Sequence, residues 1–308
     1  MGAEGPRSVL CVRYSAVELS ETSIGKRSFI GNSAVVPGGR RIDDDCLVGC
    51  LSSAPAESRP GKSWFGSPAV ELPQRQSSAA FSLEETFRPR PALIARRLAI
   101  ESLRVLLPPT VMVFLTCLTL SAADPLPLAL VPLLGIAAGA AAALFVVAMK
   151  WLLMGRYRPA EKPLWSGFVW RTELVTALHE NLADPLFNEM LMGTPFAPWF
   201  YRALGARIGK RVWLGTSYFT EYDLVEIGDD ASIDEEATIQ THLFEDRVMK
   251  MSRIRIGDRC TVGAGAVVLY DSTMRDGAGL GPLSLLMKGE TLPAASSWQG
   301  SPARSLEK

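Results

Sequence analysis

The stretch from Ile227 to Met287 reads IGDDASIDEEATIQTHLFEDRVMKMSRIRIGDRCTVGAGAVVLYDSTMRDGAGLGPLSLLM. An aliphatic residue recurs in it every six positions: Ile227, Ile233, Ile239, then Ile256, Val262, Val268, Met274, Leu280 and Leu286. Gly or Asp follows several of them, and four residues on stands a small side chain, as at Ala231, Ala237, Cys260, Ala266, Ala278 and Ser284. The register breaks once, between Gln240 and Arg255, and the break holds His242. A period of six is neither the 2 of a strand nor the 3.6 of a helix, so it marks a structural repeat. Six residues suit one short strand and one corner, and three such faces close a coil of triangular parallel β-helix. The aliphatic side chain stacks inward, the small one fits the corner, and Gly or Asp is expected to take the left-handed backbone of the turn.

Outward from this stretch the chain repeats itself in shorter form. Ile24, Ile30, Val36, Ile42 and Val48 fall six apart within residues 9–70. That is about one and a half coils, too few to bury a core alone. Lys62-Ser63-Trp64-Phe65-Gly66-Ser67-Pro68-Ala69 then matches Ser296-Ser297-Trp298-Gln299-Gly300-Ser301-Pro302-Ala303 in register. Residues 1–70 are therefore expected to be the C-terminal part of one β-helix domain lacking its opening coils, from a longer tandem protein or a truncated gene. Residues 207–308 are expected to be a complete second β-helix, opening at Ile208-Gly209 and Leu214-Gly215.

Between the two lies a membrane signature. Residues 71–104 read as a polar, Pro/Ser-rich linker ending in a basic segment with Arg88, Arg90, Arg96, Arg97 and Arg104. Val105–Ala123 is apolar for 19 residues and Leu126–Met149 for 24, each long enough to cross roughly 30 Å of hydrocarbon. A two-helix transmembrane hairpin over residues 105–154 is expected, with Pro108, Pro109, Pro127 and Pro132 as kinks and Gly135 with Gly139 as a close-packing pair. Lys and Arg flank both outer ends and are missing from the Asp124 turn, which places both termini in the cytoplasm. Residues 155–206 read as an interfacial, aromatic, helical connector, with Trp165, Phe168, Trp170, Leu174 and Leu178 on one helical face.

Composition narrows the function. Lys+Arg and Asp+Glu both number 32, so no global charge favours nucleic acid, while a mean hydropathy of +0.15 agrees with membrane segments. Cys11, Cys46, Cys50, Cys117 and Cys260 form no CxxC pair and read as reduced packing residues. The first residues have no apolar core, so no secretory signal is expected, and Pro6 stands where a myristoylation motif wants Ser or Thr. No phosphate-binding loop, GxSxG elbow or metal-spaced cluster is present. An acyl group handled here has to arrive activated, most simply as a phosphopantetheine thioester on a carrier protein or on CoA.

Two histidines serve the whole chain. His242, in the long insertion, is the candidate general base: an imidazole near its ordinary pKa takes a proton from an amine or hydroxyl attacking an acyl carbon. Glu245 or Asp246 is expected to orient it. Thr220-Glu221-Tyr222-Asp223 also breaks the hexad register, so Glu221, Tyr222 and Asp223 line the same cleft as substrate contacts or form a solvated corner. Lys250, with Arg253 and Arg255, meets a phosphate-bearing donor or lies on a solvated face. His179 reads as a packing residue, and no metal ligands are assigned.

Hexads with an extruded His loop resemble the hexapeptide acyltransferases, which implies a left-handed parallel β-helix, a base at His242 and acyl-CoA as donor. The order of β-helix end, two membrane helices, aromatic helix and second β-helix is more particular. Together with Thr241-His242-Leu243-Phe244-Glu245-Asp246-Arg247-Val248-Met249-Lys250, it is similar to the C-terminal region of membrane-bound nonribosomal peptide synthetases of the poly-ε-lysine synthetase type. That resemblance implies an acyltransferase that joins a carrier-bound aminoacyl group to an amine. Its partners would be the lipid bilayer, adenylation and carrier domains, and sibling β-helix domains in a trimer-like assembly. A non-catalytic assembly module and a stand-alone acyl-CoA-dependent acetyltransferase are the alternatives.

Overall fold

Three hexads make one coil. In the computed structural model Ile256 pairs with Met274 and Met274 with Leu292, in parallel and 18 residues apart; Val262 with Leu280 and Leu280 with Trp298 do the same on the next face. Thr238–Gln240 and Val267–Leu269 pair on the third. The hexad side chains Ile233, Ile239, Val262 and Val268 are fully enclosed, as are the small corner residues Ala237, Cys260, Ala266 and Ala278. The structure describes residues 7–13, 16–31, 33–72, 81–124, 126–245 and 247–306, without the side chains of 7–13 and 16–19. Asp246, the Gly2–Pro6 motif, part of the 71–104 linker and Pro125 lie outside the described residues.

The corner differs from the expectation by two positions. Left-handed backbone falls three residues after the aliphatic one, at Asp230, Glu236, Arg259, Gly265, Asp271 and Gly277, not at the Gly or Asp directly after it. That glycine is kept for space. A Cβ on Gly228 would lie 2.6 Å from the Asp258 nitrogen and 2.7 Å from the Gly257 carbonyl carbon, because successive coils stack backbone on backbone there. Gly228→Ala is therefore expected to destabilise the β-helix by about 1–3 kcal/mol, as overpacking does. Gly135→Ala, with nothing within 4 Å, should cost nothing. Thermal unfolding of both variants in detergent separates the two.

The chain divides into two compact units: Met1–Ser77 with Leu283–Leu285 and Gln299–Arg304, and Ser78–Pro282 with Leu286–Trp298 and Ser305–Lys308. In the first, Ile24 pairs with Ile42, Ile30 with Val48 and Val48 with Trp64, around a core of Ile42, Cys46, Val48, Ala54 and Trp64. An antiparallel hairpin of Arg7–Arg13 and Ala16–Ile24 leads into these strands. Hexad counting does not find it, because a hairpin has no period of six.

The second unit carries the helices α1 (Leu83–Thr86), α2 (Pro91–Ala123), α3 (Val131–Leu153) and α4 (Gly167–Leu178). A π-helical segment (His179–Asn188) continues α4, and α5 (Glu189–Leu191) and α6 (Ala197–Leu204) follow. Helix α2 starts at Pro91, fourteen residues before the apolar run, because Ala92–Arg104 is rich in strong helix formers; it continues through Pro108 and Pro109. Both α2 and α3 are long and apolar enough to cross a membrane. Leu118, Leu120, Leu133 and Ile136 stand exposed on them, which suits lipid. The buried stripe of α3 is Gly139, Ala142, Ala143, Val146 and Lys150. Gly139 meets the Leu186 carbonyl of the π-helical segment, whereas Gly135 faces open space, so only one of the two expected small residues is a packing contact.

Candidate active site

The break in the hexads is an ordered hairpin. Ile227 pairs with Ile256 across 29 residues where a coil takes 18, leaving an insertion of eleven. It folds as His242–Glu245 against Val248–Met251, antiparallel, and its second strand pairs with Ala160–Pro163, the segment that leaves α3. Met249 and Met251 anchor the hairpin in a cluster with Tyr157, Val169, Trp170 and Leu224. His242 thus opens the edge strand of a three-stranded sheet whose central strand, Val248–Met251, is paired on both sides.

Its partner is Glu221. The His242 Nδ1 lies 2.8 Å from the Glu221 Oε2, and the Thr241 hydroxyl donates to the same oxygen at 2.6 Å. Thr241 Oγ1 is also 3.0 Å from Thr220 Oγ1. Glu221 is 2% exposed and holds a left-handed backbone at φ 39°, a conformation a bulky residue adopts only under constraint. Burial raises the pKa of the Glu221 carboxyl, but the His242 charge and the hydrogen bonds outweigh it and hold it below its ordinary range. Burial lowers the pKa of the imidazole, yet the charge and hydrogen bond of Glu221, with a contribution from Glu173, raise it above the ordinary 6.5. A carboxylate on Nδ1 fixes that nitrogen as the protonated one and leaves Nε2 to accept a proton.

His242 opens on a cavity of about 760 Å³. Arg104, Val105, Pro108, Pro109 and Met112 of α2 form one wall. Thr172, Glu173, Thr176 and Ala177 of α4 form another, with Glu180, Asn181, Thr220, Phe244 and Met249 completing it. The same apolar run that reads as a membrane span therefore also walls the cavity at its first turns. Arg104 sits 2.9 Å from Glu101 and 4.0 Å from Glu173, which keeps its charge at the rim.

The other expected residues lie elsewhere. Glu245 does not orient His242: it forms an ion pair with Lys250 at 3.1 Å and accepts from Lys288, because strand alternation turns it away from the dyad. Lys250 is occupied by that pair. Tyr222 is buried against His179 and Tyr201, and Asp223 is buried against Lys150, so neither faces the cavity. His179 is enclosed and stacked on Phe200, and burial pushes its pKa down to about 4. Thr241, Glu173 and the α2 wall were not singled out from sequence. The available signal was the shared break of register at 220–223 and 240–255, which puts both interruptions at one level of the coil. The hairpin of the first unit repeats the geometry: Leu10 pairs with Leu19 as His242 pairs with Met251, and each lies fourteen residues before its coil isoleucine, Ile24 or Ile256. In backbone register, Leu10 is therefore the first unit's counterpart of His242.

The hexapeptide repeat of succinyl-transferase matches residues 21–50 and 253–270. Over 300 residues the chain is 41% identical to the delta-poly-L-ornithine synthetase of Acinetobacter baumannii (strain AB307-0294), covering 93% of this chain and 22% of that protein. The chain thus spans about a fifth of the length of the curated relative it matches. Among solved structures it is similar to the serine acetyltransferase of Neisseria gonorrhoeae, at 18% identity and TM-score 0.34 over 62% of each chain. It is also similar to a hexapeptide-repeat acetyltransferase of Vibrio cholerae, at 17% identity and TM-score 0.30 over 36% of this chain and 78% of the other.

Proposed function

We propose that this chain is the membrane-held aminoacyl-transferring part of a poly-amino-acid synthetase like its 41% identical relative, with His242 as general base. The observation that carries the reading is the Glu221–His242 pair opening on a cavity inside one unit. The donor is an aminoacyl thioester on a phosphopantetheine arm and the acceptor an amine. Their reacting ends meet beside Nε2. As the amine nitrogen attacks the thioester carbonyl, His242 takes its proton while Glu221 stabilises the imidazolium. The tetrahedral intermediate then collapses: the C–S bond breaks, the C–N bond is complete, and His242 returns the proton to the leaving thiolate. No atom beyond donor and acceptor is needed.

Helices α2 and α3 hold this chemistry at the bilayer, with both chain ends on the cytoplasmic face, and adenylation and carrier domains supply the donor. The first unit, whose hairpin register carries Leu10 where the second carries His242, is non-catalytic in this scheme.

The test supplies the full chain in detergent with an aminoacyl-pantetheine thioester and a labelled amine, and detects the amide by mass spectrometry. Absence of amide with every amine tried, at thioester concentrations that load the cavity, counts against transfer. The pH dependence follows from the pair. A base must be unprotonated, and Glu221 raises its pKa, so the rate should rise with pH through a midpoint above 6.5. Glu221→Gln should move the midpoint downward and slow the reaction; a midpoint unchanged by this variant contradicts the pairing.

A further inference from the structure

The geometry points to Lys150, on the last turns of membrane helix α3, as a positioning residue that holds the Glu221–His242 dyad in register; this rests on reading His242 as the base. Lys150 is fully enclosed, and its Nζ donates to the Asp223 Oδ2 at 2.6 Å. The Tyr157 amide donates to the same oxygen at 3.0 Å, while Arg156 reaches only within 3.9 Å of the other. Nζ also lies over the Trp151 ring at 3.5 Å. Asp223 is two residues from Glu221, within the single 3-10 turn Tyr222–Leu224 whose cap is Glu221 itself.

The turn has little freedom. Tyr222 is wedged against His179 and Tyr201, and Leu224 is enclosed in the cluster that also holds Met249 of the hairpin. Glu221 needs constraint to stay at φ 39°, and its own side chain supplies only the contacts to be positioned. The ion pair with Lys150 ties the other end of that turn to α3. A shift of the helix end therefore moves Asp223, then Glu221, then the hydrogen bond at Nδ1. The charged groups around His242 are Glu221 on the turn, Glu173 on α4, Arg104 on α2 and Glu180 on the π-helical segment. Of these Lys150 acts through the first alone.

The chain offers a direct readout, because it has two histidines. His179 is held down to about 4, so one imidazole titrates between pH 5 and 9 in NMR spectra of the ¹³C-histidine-labelled full chain in detergent micelles. Lys150→Met is expected to lower the His242 midpoint by about 0.5 or more on the pH scale, and Glu221→Gln to do the same. Adding Lys150→Met to Glu221→Gln should produce no further drop, since both act on one unit. Lys150→Arg should return the midpoint most of the way. Where Lys150→Met does not fold, the double variant Lys150→Met/Asp223→Leu replaces the pair by apolar groups, and the same drop is expected. A folded variant of either kind with the wild-type midpoint overturns the inference. The titration needs no substrate, so failure to detect amide formation leaves it standing, and an inactive His242→Ala beside an unmoved midpoint removes this inference alone.

Discussion

His242→Ala lowers the rate of amide formation by about 10²–10⁴-fold, the usual worth of a positioned general base. Thioester binding is expected to stay close to wild type, because in the proposed reaction the donor would lie along a cavity of about 760 Å³ to which the imidazole contributes one edge. The measurement is single-turnover transfer from a preloaded aminoacyl thioester. Glu221→Ala should lose much of the same factor, and the double variant scarcely more than His242→Ala, since Glu221 works only through the imidazole at 2.8 Å. Glu245→Ala is the informative contrast. It removes a carboxylate paired with Lys250 and Lys288, so the rate should change less than about threefold, the effect of a group outside the reacting set. A large loss from Glu245→Ala together with a small one from Glu221→Ala would reverse the assignment.

Asp223→Ala is expected to destabilise the second unit by about 3–5 kcal/mol, the cost of leaving one member of a buried pair uncompensated. Lys150 has no exposed surface, and the Asp223 side chain is 5% exposed. Removing the carboxylate strands an ammonium between Trp151 and Tyr157 and leaves the Tyr157 amide without its acceptor. The exposed pair Arg211–Asp230, at 2.6 Å, is the control: Asp230→Ala loses only a solvated ion pair, which contributes little to stability. Its corner backbone at φ 58° adds a small strain. Thermal unfolding of the two variants should differ by several degrees in midpoint; equal midpoints would mean that water or a neighbouring group compensates Lys150.

The coils were legible because each repeats one physical demand, an inward aliphatic residue and a small corner residue every six positions. Two features blurred that reading. The conformational demand falls three residues after the aliphatic one, where Asp230, Glu236 and Arg259 accept a left-handed backbone without a distinctive residue type. The conspicuous glycines answer a steric demand from the next coil, which appears only once coils are stacked. His242 was visible as a rare residue type in a break of register. Its partner was visible only in another role, as a substrate contact, since Glu245 and Asp246 are near in sequence while Glu221 is near in space: strand alternation turns Glu245 aside, and a second break 21 residues upstream delivers Glu221. The wall contributed by α2 was hidden for another reason. Val105, Pro108 and Met112 read as part of a membrane span, and only the packing of α4 beside them makes a cavity there.

Imidazole rescue is the most direct test of the base. Removing the side chain of His242 leaves room in the cavity beside Glu221 for a free imidazole to take its place. Single-turnover transfer by His242→Ala should rise in proportion to added imidazole and follow the fraction of imidazole in its free-base form. The same addition should leave the wild-type protein and the Glu245→Ala variant unaffected. A His242→Ala variant that transfers the aminoacyl group at the wild-type rate without imidazole would contradict the account.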